Sequence, residues 1–240
     1  MPFLILLILV LATITVFLRT PQGRGWLGEF KVKLVIGKTK PEIKYIINNL
    51  TIKIDDNKTS QIDHIVINKH GIFVIETKNY SGRIYGNETQ LEWTQVLNYG
   101  KVKNKLYNPI KQNKTHLYHV SNLLNEKLPI FSAVVFVQGN TQYINAAGVY
   151  NLVGLRNLLK SNTGEHLSSE NMKEAYTALI NANDASINLR EHIQNIHINQ
   201  QNISNNICPR CGKALVLRQG KNGHFMGCKG YPQCKFTKNI

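Results

Sequence analysis

The chain has 240 residues, which is enough for one domain of ordinary size with small additions. Its 29 Lys and Arg residues outnumber its 14 Asp and Glu residues, so the formal net charge is +15 at pH 7. An excess of this sign favours a polyanionic partner, either nucleic acid or an anionic membrane surface. All four cysteines fall between positions 208 and 234, which excludes a disulfide framework for the main domain.

The N-terminus is a continuous apolar run, because residues 3–18 contain no charged side chain. A helix of this length spans about 24 Å, slightly less than a hydrocarbon core of about 30 Å. A cleaved signal peptide would need a basic residue before the run and a small-residue cleavage site after it, and neither is present. The C-terminal flank carries instead the positive charge expected on the cytoplasmic side of an uncleaved anchor, from Arg19, Arg24, Lys31 and Lys33. We therefore predict a single-pass anchor over residues 1–20 in the cytoplasmic (inner) membrane, with the main domain in the cytoplasm.

The next segment, residues 23–38, is predicted to form a short amphipathic helix that ends near Gly37. Glu29 lies within this helix. As a surface residue of the first turn it would interact favourably with the helix dipole. Residues 50–54 are predicted to form a strand that ends at the turn Asp55-Asp56-Asn57.

The centre of the sequence is a predicted β-hairpin over residues 62–78, with Asn68-Lys69-His70-Gly71 as the turn. If the loop has an even length, paired residue numbers sum to 139, and Asp63 then faces Glu76, with Lys78 on the same side. An odd loop would separate the two carboxylates. Both faces of the hairpin are otherwise apolar, which is typical of strands covered by helices on both sides. One face would hold Ile65, Ile67, Ile72 and Val74, and the other Ile62, Val66, Phe73 and Ile75.

Two opposed carboxylates repel each other, so this pair points to a bound hard cation such as Mg²⁺ or Mn²⁺, held by carboxylate oxygens, water and substrate phosphate. Lys78 would then position the attacking water or neutralise phosphate charge. The alternative is a strand end at which Glu76 and Lys78 reach solvent and pair loosely. The residues alone do not decide between the two.

The remaining main-domain pattern alternates strands and helices, which indicates an α/β sandwich. A helix is predicted to start at Asn108-Pro109 and to run to about Lys127, with Gln112 near its start. His116 and His119 lie one turn apart on it, and we interpret them as solvated polar residues rather than metal ligands because no third ligand is apparent. The other predicted strands are 83–85, 91–97, 129–137 and 148–152, and the other predicted helices are 155–160 and 168–180. Residues 141–180 would form an extension packed on the domain, and residues 181–206, rich in Asn and Gln, a linker.

The C-terminal 34 residues contain a cysteine pattern that predicts a closed zinc site. Cys208-Pro-Arg-Cys211 forms the first pair, and Cys228 and Cys234 the second. So short a segment cannot build a sufficient core, and the metal would supply its folding free energy.

The sequence Asp63…Glu76-Thr77-Lys78 resembles the core of PD-(D/E)XK nucleases, and the surrounding sequence resembles the nuclease-related domain, NERD. Three pieces carry this resemblance: Gly25–Glu29, Asp63–Lys78 and Asn108–Gln112. The Pro of the nuclease motif is replaced by Ile62. The resemblance covers about residues 22–140 and implies a restriction-endonuclease-like mixed sheet flanked by helices. It also implies Mg²⁺ ligation by Asp63 and Glu76 with Glu29 as a third acid, assistance to water by Lys78, and orientation of the substrate by Gln112.

The segment 207–240 resembles the C4 zinc ribbons at the C-terminus of bacterial type I topoisomerases, which bind single-stranded DNA. The resemblance implies phosphate contacts and base stacking in this ribbon. The expected residues are Arg210, Lys213, Arg218, Lys221, Lys229 and Lys235 for phosphate, and Phe225, Tyr231 and Phe236 for stacking. A structural ribbon that binds protein is the alternative.

The favoured function is therefore a membrane-anchored, metal-dependent nuclease that acts on DNA and holds single-stranded DNA through its ribbon. Two alternatives remain. One is a non-catalytic protein that binds or tethers DNA, with the nuclease fold as a scaffold. The other is an accessory factor of a topoisomerase, which rests on the ribbon alone.

Overall fold

The computed structural model describes residues 2–55, 58–124, 128–161, 166–183, 201–209, 211–220, 223–234 and 236–239. The chain divides into two compact units. One comprises Met1–Ile52 and Ser60–Asp184, and the other Lys53–Thr59 and Ala185–Ile240. Most of the predicted linker lies outside the described residues.

The described helices and strands follow each other in an alternating order. The helices are α1 (Pro2–Arg19), α2 (Pro21–Ile36), α3 (Pro109–Leu123), α4 (Leu152–Leu158) and α5 (Ser169–Asn181), with a 3-10 turn at Asn98–Gly100. The strands between α2 and α5 are β1 (Lys44–Asp55), β2 (Lys58–Asn68), β3 (Gly71–Lys78), β4 (Arg83–Asn87), β5 (Glu92–Leu97), β6 (Val102–Tyr107), β7 (Ile130–Phe136), β8 (Ile144–Asn145) and β9 (Val149–Tyr150). The C-terminal strands are β10 (Leu215–Gly220), β11 (Gly223–Cys228) and β12 (Thr237–Asn239).

The main sheet has five strands in the order β1-β2-β3-β7-β9. β2 and β3 form the predicted antiparallel hairpin, and their ladder pairs His64 with Ile75 and Asn68 with Gly71, so paired numbers sum to 139 as expected. β7 and β9 add in parallel. The mixed α/β class predicted from the sequence is confirmed.

Helices cover both faces of this sheet, because the hairpin side chains are apolar on both sides. One core joins Ile65, Ile67 and Val74 to α3 and α5, and the other joins Val66, Phe73 and Ile75 to α2 and α4. Ile62 departs from the prediction, since it packs in the first core with Ile65 rather than in the second. The strict two-residue alternation of side chains therefore does not extend to this position, next to Asp63.

The N-terminal apolar run forms α1, which is bent by 90° from α2. Thr20 caps α2 by accepting a hydrogen bond from the Gly23 N–H at 3.0 Å, and Pro21 follows at the first helical position. A Cβ at Gly23 would lie 2.0 Å from the Phe17 carbonyl oxygen, so only glycine permits this bend. Among the described helices, none alone has both the length and the apolarity to cross a membrane, whereas α1 and α2 together satisfy the length and composition requirements as a bent pair.

A second sheet of four strands, in the order β6-β5-β4-β8, lies in the same unit. Its inner side buries Ile84 and Trp93 against Ile110 of α3 and Phe136 of β7. The sequence analysis predicted β4 and β5 but not β6. The sequence of β6, VKNKLY, carries almost no apolar pattern, and the side chains of this strand are largely exposed.

Candidate functional site

Asp63 on β2 and Glu76 on β3 lie on neighbouring strands, at the end of the β2–β3 ladder that is remote from the Gly71 turn. In the observed register they occupy the opposed positions that follow the His64–Ile75 pair. The Thr77 backbone N–H donates to Asp63 Oδ2 at 2.8 Å, which fixes the Asp63 side chain against β3. Glu76 is only 3% exposed, so its charge cannot be satisfied by water and needs partners from the protein.

Lys78 is the first of these partners. Its Nζ donates to Glu76 Oε1 at 2.6 Å and to Gln112 Oε1 at 2.9 Å. Gln112 is contributed by the first turn of α3, so the helix and the strand end meet at this ammonium group. The side chain of Lys78 is 14% exposed, which rules out the loosely paired, solvated strand end considered from the sequence.

His116 lies beside Glu76 and is buried, so the interpretation of this histidine as a solvated residue is wrong. It is 7% exposed, its Nε2 lies 3.3 Å from Glu76 Oε2, and its Nδ1 lies 2.8 Å from Ser60 Oγ. Its spacing of one helical turn from Gln112 places both residues over the sheet. The four-residue spacing of Gln112 and His116 is the sequence feature from which the position of His116 could have been predicted. His119, by contrast, is half-buried, and its pKa is lowered by burial and by the nearby His116 ring.

The pKa shifts follow from burial and from this arrangement of charges. Burial, and then the nearby Glu76 carboxylate, raise the pKa of Asp63 to about 8. Burial alone would raise the pKa of Glu76, but the His116 ring and the Lys78 ammonium outweigh it and hold that pKa below its ordinary value. Burial likewise opposes the charge of Lys78, yet Glu76 raises the pKa of Lys78 overall. At neutral pH the site thus holds an ionised Glu76 beside a protonated Asp63.

Glu29, on α2, interacts electrostatically with Asp63 and Glu76. Burial raises the pKa of Glu29, and Glu76 adds to the rise against the opposing effect of Lys33. Asp63 and Glu76 offer the hard oxygen donors that Mg²⁺ or Mn²⁺ prefers, and their mutual repulsion is what a cation would relieve. Within the described residues, however, no three acidic or His side chains converge to within 4.8 Å of one another outside the cysteine cluster. The donor chemistry fits a divalent cation, whereas a complete set of three protein ligands is not assembled.

Two buried asparagines hold α3 in place over the site. Asn113 donates to the Val74 carbonyl at 2.9 Å and to Ser132 Oγ at 2.8 Å, which links the helix to β3 and β7. Asn108 caps the helix through a bond from the Ile110 N–H at 2.9 Å, while its amide donates to the carbonyl groups of residues 87, 88 and 90. The position of Gln112 and His116 therefore depends on both sheets.

The four cysteines form a second site, in the C-terminal unit. All four Sγ atoms lie within 4.8 Å of one another, with 3.6 Å between Cys208 and Cys234 and 3.2 Å between Cys211 and Cys228. A disulfide would bring the two sulfur atoms to about 2.05 Å. A tetrahedral zinc ion with Zn–S bonds of about 2.3 Å separates its ligands by roughly 3.8 Å. The cluster therefore fits structural Zn²⁺, as the spacing predicted.

The residues predicted to bind DNA are distributed over the ribbon formed by β10–β12. Lys213, Lys229 and Tyr231 are exposed, whereas Arg218, Phe225 and Phe236 are partly buried. The Arg218 guanidinium lies 5.6 Å from the centre of the Tyr231 ring and donates to the Cys228 carbonyl. A cleft of about 580 Å³ is lined by residues that include Arg218, Phe225, Tyr231 and Phe236. Three further predicted residues, Arg210, Lys221 and Lys235, lie outside the described residues.

Comparison with known proteins gives matches to both parts of the chain. The described residues form a mixed α/β unit with a charged strand end and a separate unit with a four-cysteine cluster. The chain belongs to the nuclease-related domain (NERD) family, whose family model matches residues 24–137. The model of the topoisomerase DNA-binding C4 zinc finger matches residues 205–240. No solved structure gives a significant match.

One relative matches most of this chain, and others match only a short stretch of it. An uncharacterised protein of Bacillus anthracis is 32% identical over 186 residues, which cover 74% of this chain and 85% of that protein. DNA topoisomerase 1 of Methanothermobacter thermautotrophicus is 52% identical over 33 residues, which are 14% of this chain and 5% of the topoisomerase. The Escherichia coli protein YrdD is 49% identical over 37 residues, or 15% of this chain and 21% of that protein. The similarity to the Methanothermobacter topoisomerase thus covers a stretch no longer than the ribbon.

The raised pKa of Asp63 predicts a pH-dependent stability that Asp63→Asn removes. The folded protein keeps the proton up to about pH 8, whereas the unfolded chain loses it near its ordinary pKa of about 3.9. The native state therefore binds more protons between these values, and its stability falls as pH rises through them. The amide of the variant cannot titrate, and its oxygen can still accept from the Thr77 N–H. In urea unfolding without divalent cations, we expect the stability of the variant relative to wild type to rise by at least about 1 kcal/mol from pH 5 to pH 8.

A control for this measurement is Glu88→Gln, which removes an exposed carboxylate paired with Lys114 at 2.8 Å. Its stability curve should run parallel to that of wild type over the same range. Parallel curves for Asp63→Asn as well would show that Asp63 is already ionised in the folded protein.

The cysteine cluster predicts one zinc ion per chain. Replacing Cys234 with Ser removes one thiolate ligand, so bound zinc should be lost and hydrogen-exchange protection of β10–β12 should disappear, because metal binding supplies the folding free energy of so small a unit. Protection of β3 and β7 should not change, because they belong to the other compact unit. Elemental analysis and exchange mass spectrometry measure both effects, with Lys213→Gln as a ribbon variant that keeps all four ligands. Purified protein that contains no zinc but has a protected ribbon would contradict the assignment.

Proposed function

We propose that this protein is a metal-dependent nuclease that cleaves DNA at the Asp63–Glu76–Lys78 strand end, with the ribbon holding single-stranded DNA. The observation that carries the proposal is the buried ion-pair network in which Lys78 Nζ contacts Glu76 and Gln112 while Asp63 lies opposite. A strand end with only a structural role has no need of a buried carboxylate that is paired with a largely buried ammonium and set opposite a second carboxylate, because burying charge is costly. Membership of the nuclease-related family supports the same conclusion.

Each residue of the strand end would have a distinct role in cleavage. Asp63 and Glu76 would hold Mg²⁺ or Mn²⁺, which when bound supplies a Lewis acid for a phosphate oxygen. Lys78 is aimed by Gln112 and can donate to a phosphate oxygen or to a water molecule at the strand end. His116 orients the Glu76 carboxylate from the side opposite Lys78, and Ser60 in turn orients the His116 ring. Glu29 would contribute through its charge rather than by direct contact with this pair.

A second function, a DNA tether without catalysis, is favoured by two observations. The acids within the described residues do not converge into a set of three ligands, and Lys78 is already engaged by two oxygen atoms. In a tether these residues would neutralise one another, and the ribbon alone would carry the function. Cleavage assays distinguish the two functions.

We also propose that α1 anchors the protein in the cytoplasmic membrane. Its side chains from Phe3 to Phe17 are apolar or Thr and mostly exposed, and positive charges follow at its C-terminal end. The exposed side of α2 supports this proposal. It carries Trp26, Phe30 and Leu34 at four-residue spacing, with the first two rings stacked at 5.5 Å. A helix bent by 90° from the anchor, with an exposed aromatic stripe, suits the membrane interface.

The nuclease proposal predicts that Asp63→Ala, Glu76→Ala and Lys78→Ala each lower cleavage by about 100-fold or more, because each removes a ligand or a charge needed in the transition state. Lys78→Arg should fail as well, since a guanidinium is larger and planar. The assay uses the full chain in detergent with Mg²⁺ or Mn²⁺ on single-stranded DNA, duplex DNA and RNA. The matched controls are Glu174→Ala and Lys173→Ala on the exposed side of α5, which should leave cleavage unchanged. Wild-type protein that cleaves none of these substrates while its ribbon binds DNA would favour the tether.

The anchor proposal predicts that charge in the middle of α1 releases the protein from the membrane. Replacing Leu9 and Val10 with Arg should cost about 5–7 kcal/mol of insertion free energy, at about 2.5–3.5 kcal/mol for each charge. Wild-type protein should remain in the membrane pellet after carbonate washing, and this variant should not. Val153→Arg, at an exposed position of α4, is the control and should stay in the pellet. A soluble, shortened wild-type protein outside the cytoplasm would instead identify residues 1–20 as a signal peptide.

A further inference from the structure

We propose that the outer face of the second sheet is a binding site for single-stranded nucleic acid. This face consists of the side chains that alternate with the buried Ile84 and Trp93. Across the strands, Arg83 pairs with Val96 and Val96 with Lys103, while Tyr85 pairs with Thr94 and Thr94 with Lys105. The site lies outside the ribbon and outside the Asp63–Glu76 strand end.

The aromatic rings of this face are partly or fully exposed. Tyr85 and Tyr143 stack on each other at 4.7 Å and remain 37% and 43% exposed. Tyr99, in the turn between β5 and β6, has its side chain fully exposed. The backbone at Tyr99 has φ of 54°, and Asn98 before it has φ of 49°. This left-handed conformation is unfavourable for Tyr, and it is often found at functional sites.

The charged side chains at the centre of this face are cationic and are not paired with an acid among the described residues. Arg83, Lys103 and Lys105 form no salt bridge with any other described residue. The Arg83 guanidinium lies 5.9 Å from the centre of the Tyr143 ring, and Lys105 Nζ lies 3.4 Å from Thr94 Oγ1. Lys101 adds a fourth cation at the turn, and Glu92, opposite Tyr107, is the acid at the far end of this face. A row of cations beside exposed rings matches the alternating phosphates and bases of a nucleic-acid strand.

A cleft in this face has the size of a nucleotide site. Its volume is about 810 Å³, and the residues that line it include Arg83, Tyr85, Thr94, Val96, Tyr99 and Lys103. Small-molecule sites usually measure about 300–1,000 Å³. A single strand fits this chemistry better than a duplex, because the bases of a duplex are stacked on each other and only its phosphates would reach the face.

The inference deepens the proposed function, on which it rests for the class of ligand, but it does not require cleavage. Asn108 connects this sheet to α3 through the carbonyl groups of residues 87, 88 and 90. A strand bound on the outer face would therefore lie on the same rigid framework that positions Gln112 and His116. Binding is measured without divalent cations, so a protein that lacks nuclease activity still tests the inference.

The first experiment measures binding of a fluorescent oligothymidine by the full chain in detergent, with Tyr99→Ala as the variant. Tyr99 contacts little, so the variant should fold normally. Losing one stacking partner should weaken binding by about fivefold to 150-fold. The matched control is Tyr118→Ala, a residue that is 60% exposed on α3 and should bind as wild type does. The triple variant Arg83→Gln, Lys103→Gln and Lys105→Gln should reduce the slope of log affinity against log salt by about 2, at about 0.7 for each phosphate contact.

The second experiment locates the strand, because the ribbon is also proposed to bind DNA. An oligonucleotide that contains 4-thiothymidine is crosslinked by light, and the labelled peptides are identified by mass spectrometry. We expect labelled peptides from β4–β6 and residues 98–100 in addition to the ribbon. A 4-thiouridine RNA strand of the same length distinguishes RNA from DNA as the preferred ligand.

Two results would overturn the inference. One is labelling of the ribbon alone together with wild-type affinity of Tyr99→Ala. The other is binding of duplex and single strand with equal affinity and no effect of Tyr99→Ala, which would show that Tyr99 does not stack on an unpaired base. Neither result bears on cleavage, which is proposed at the Asp63–Glu76–Lys78 strand end.

Discussion

The main domain depends on how two carboxylates are accommodated beside a buried hairpin. The register that buries Ile65, Val74 and their neighbours also brings Asp63 opposite Glu76. Like charges on neighbouring strands repel strongly where water is excluded. The protein relieves the repulsion by keeping a proton on Asp63 and by placing Lys78 and His116 on opposite sides of Glu76. The site is thus a compensated cluster, and a divalent cation would replace part of this compensation.

This compensation explains why α3 carries polar residues on its buried side. A helix that covers a sheet normally presents an apolar stripe. Here Asn113 and His116 interrupt the stripe between Ile110 and Val120, and each finds a partner on the sheet. Asn108 then fixes the start of the helix to the loop between β4 and β5. The second sheet consequently supports the helix that covers the strand end.

The C-terminal unit has a different source of folding stability from the main domain. Its buried cluster consists of Cys208, Leu215 and Cys228, which is too little apolar area to hold a fold without a metal. The similarity to the Methanothermobacter topoisomerase covers a stretch no longer than the ribbon of this unit. The nuclease-related domain and the ribbon therefore form two modules with separate sources of stability. A polyanionic ligand common to both modules would account for the net charge of +15.

The sequence by itself determined the features that depend on local pattern. The two apolar strands and the Gly71 turn predict the hairpin, a loop of even length predicts the register that is observed, and the cysteine spacing predicts the zinc site. Only the tertiary structure decided the features that depend on distant residues. His116 was taken for a solvated residue because nothing near it in sequence reveals that Ser60 and Glu76 enclose it. β6 was missed because an exposed strand needs no apolar alternation, and the bend between α1 and α2 depends on the approach of Gly23 to the Phe17 carbonyl. Burial and charge compensation arise from contacts between elements, and a linear pattern does not contain them.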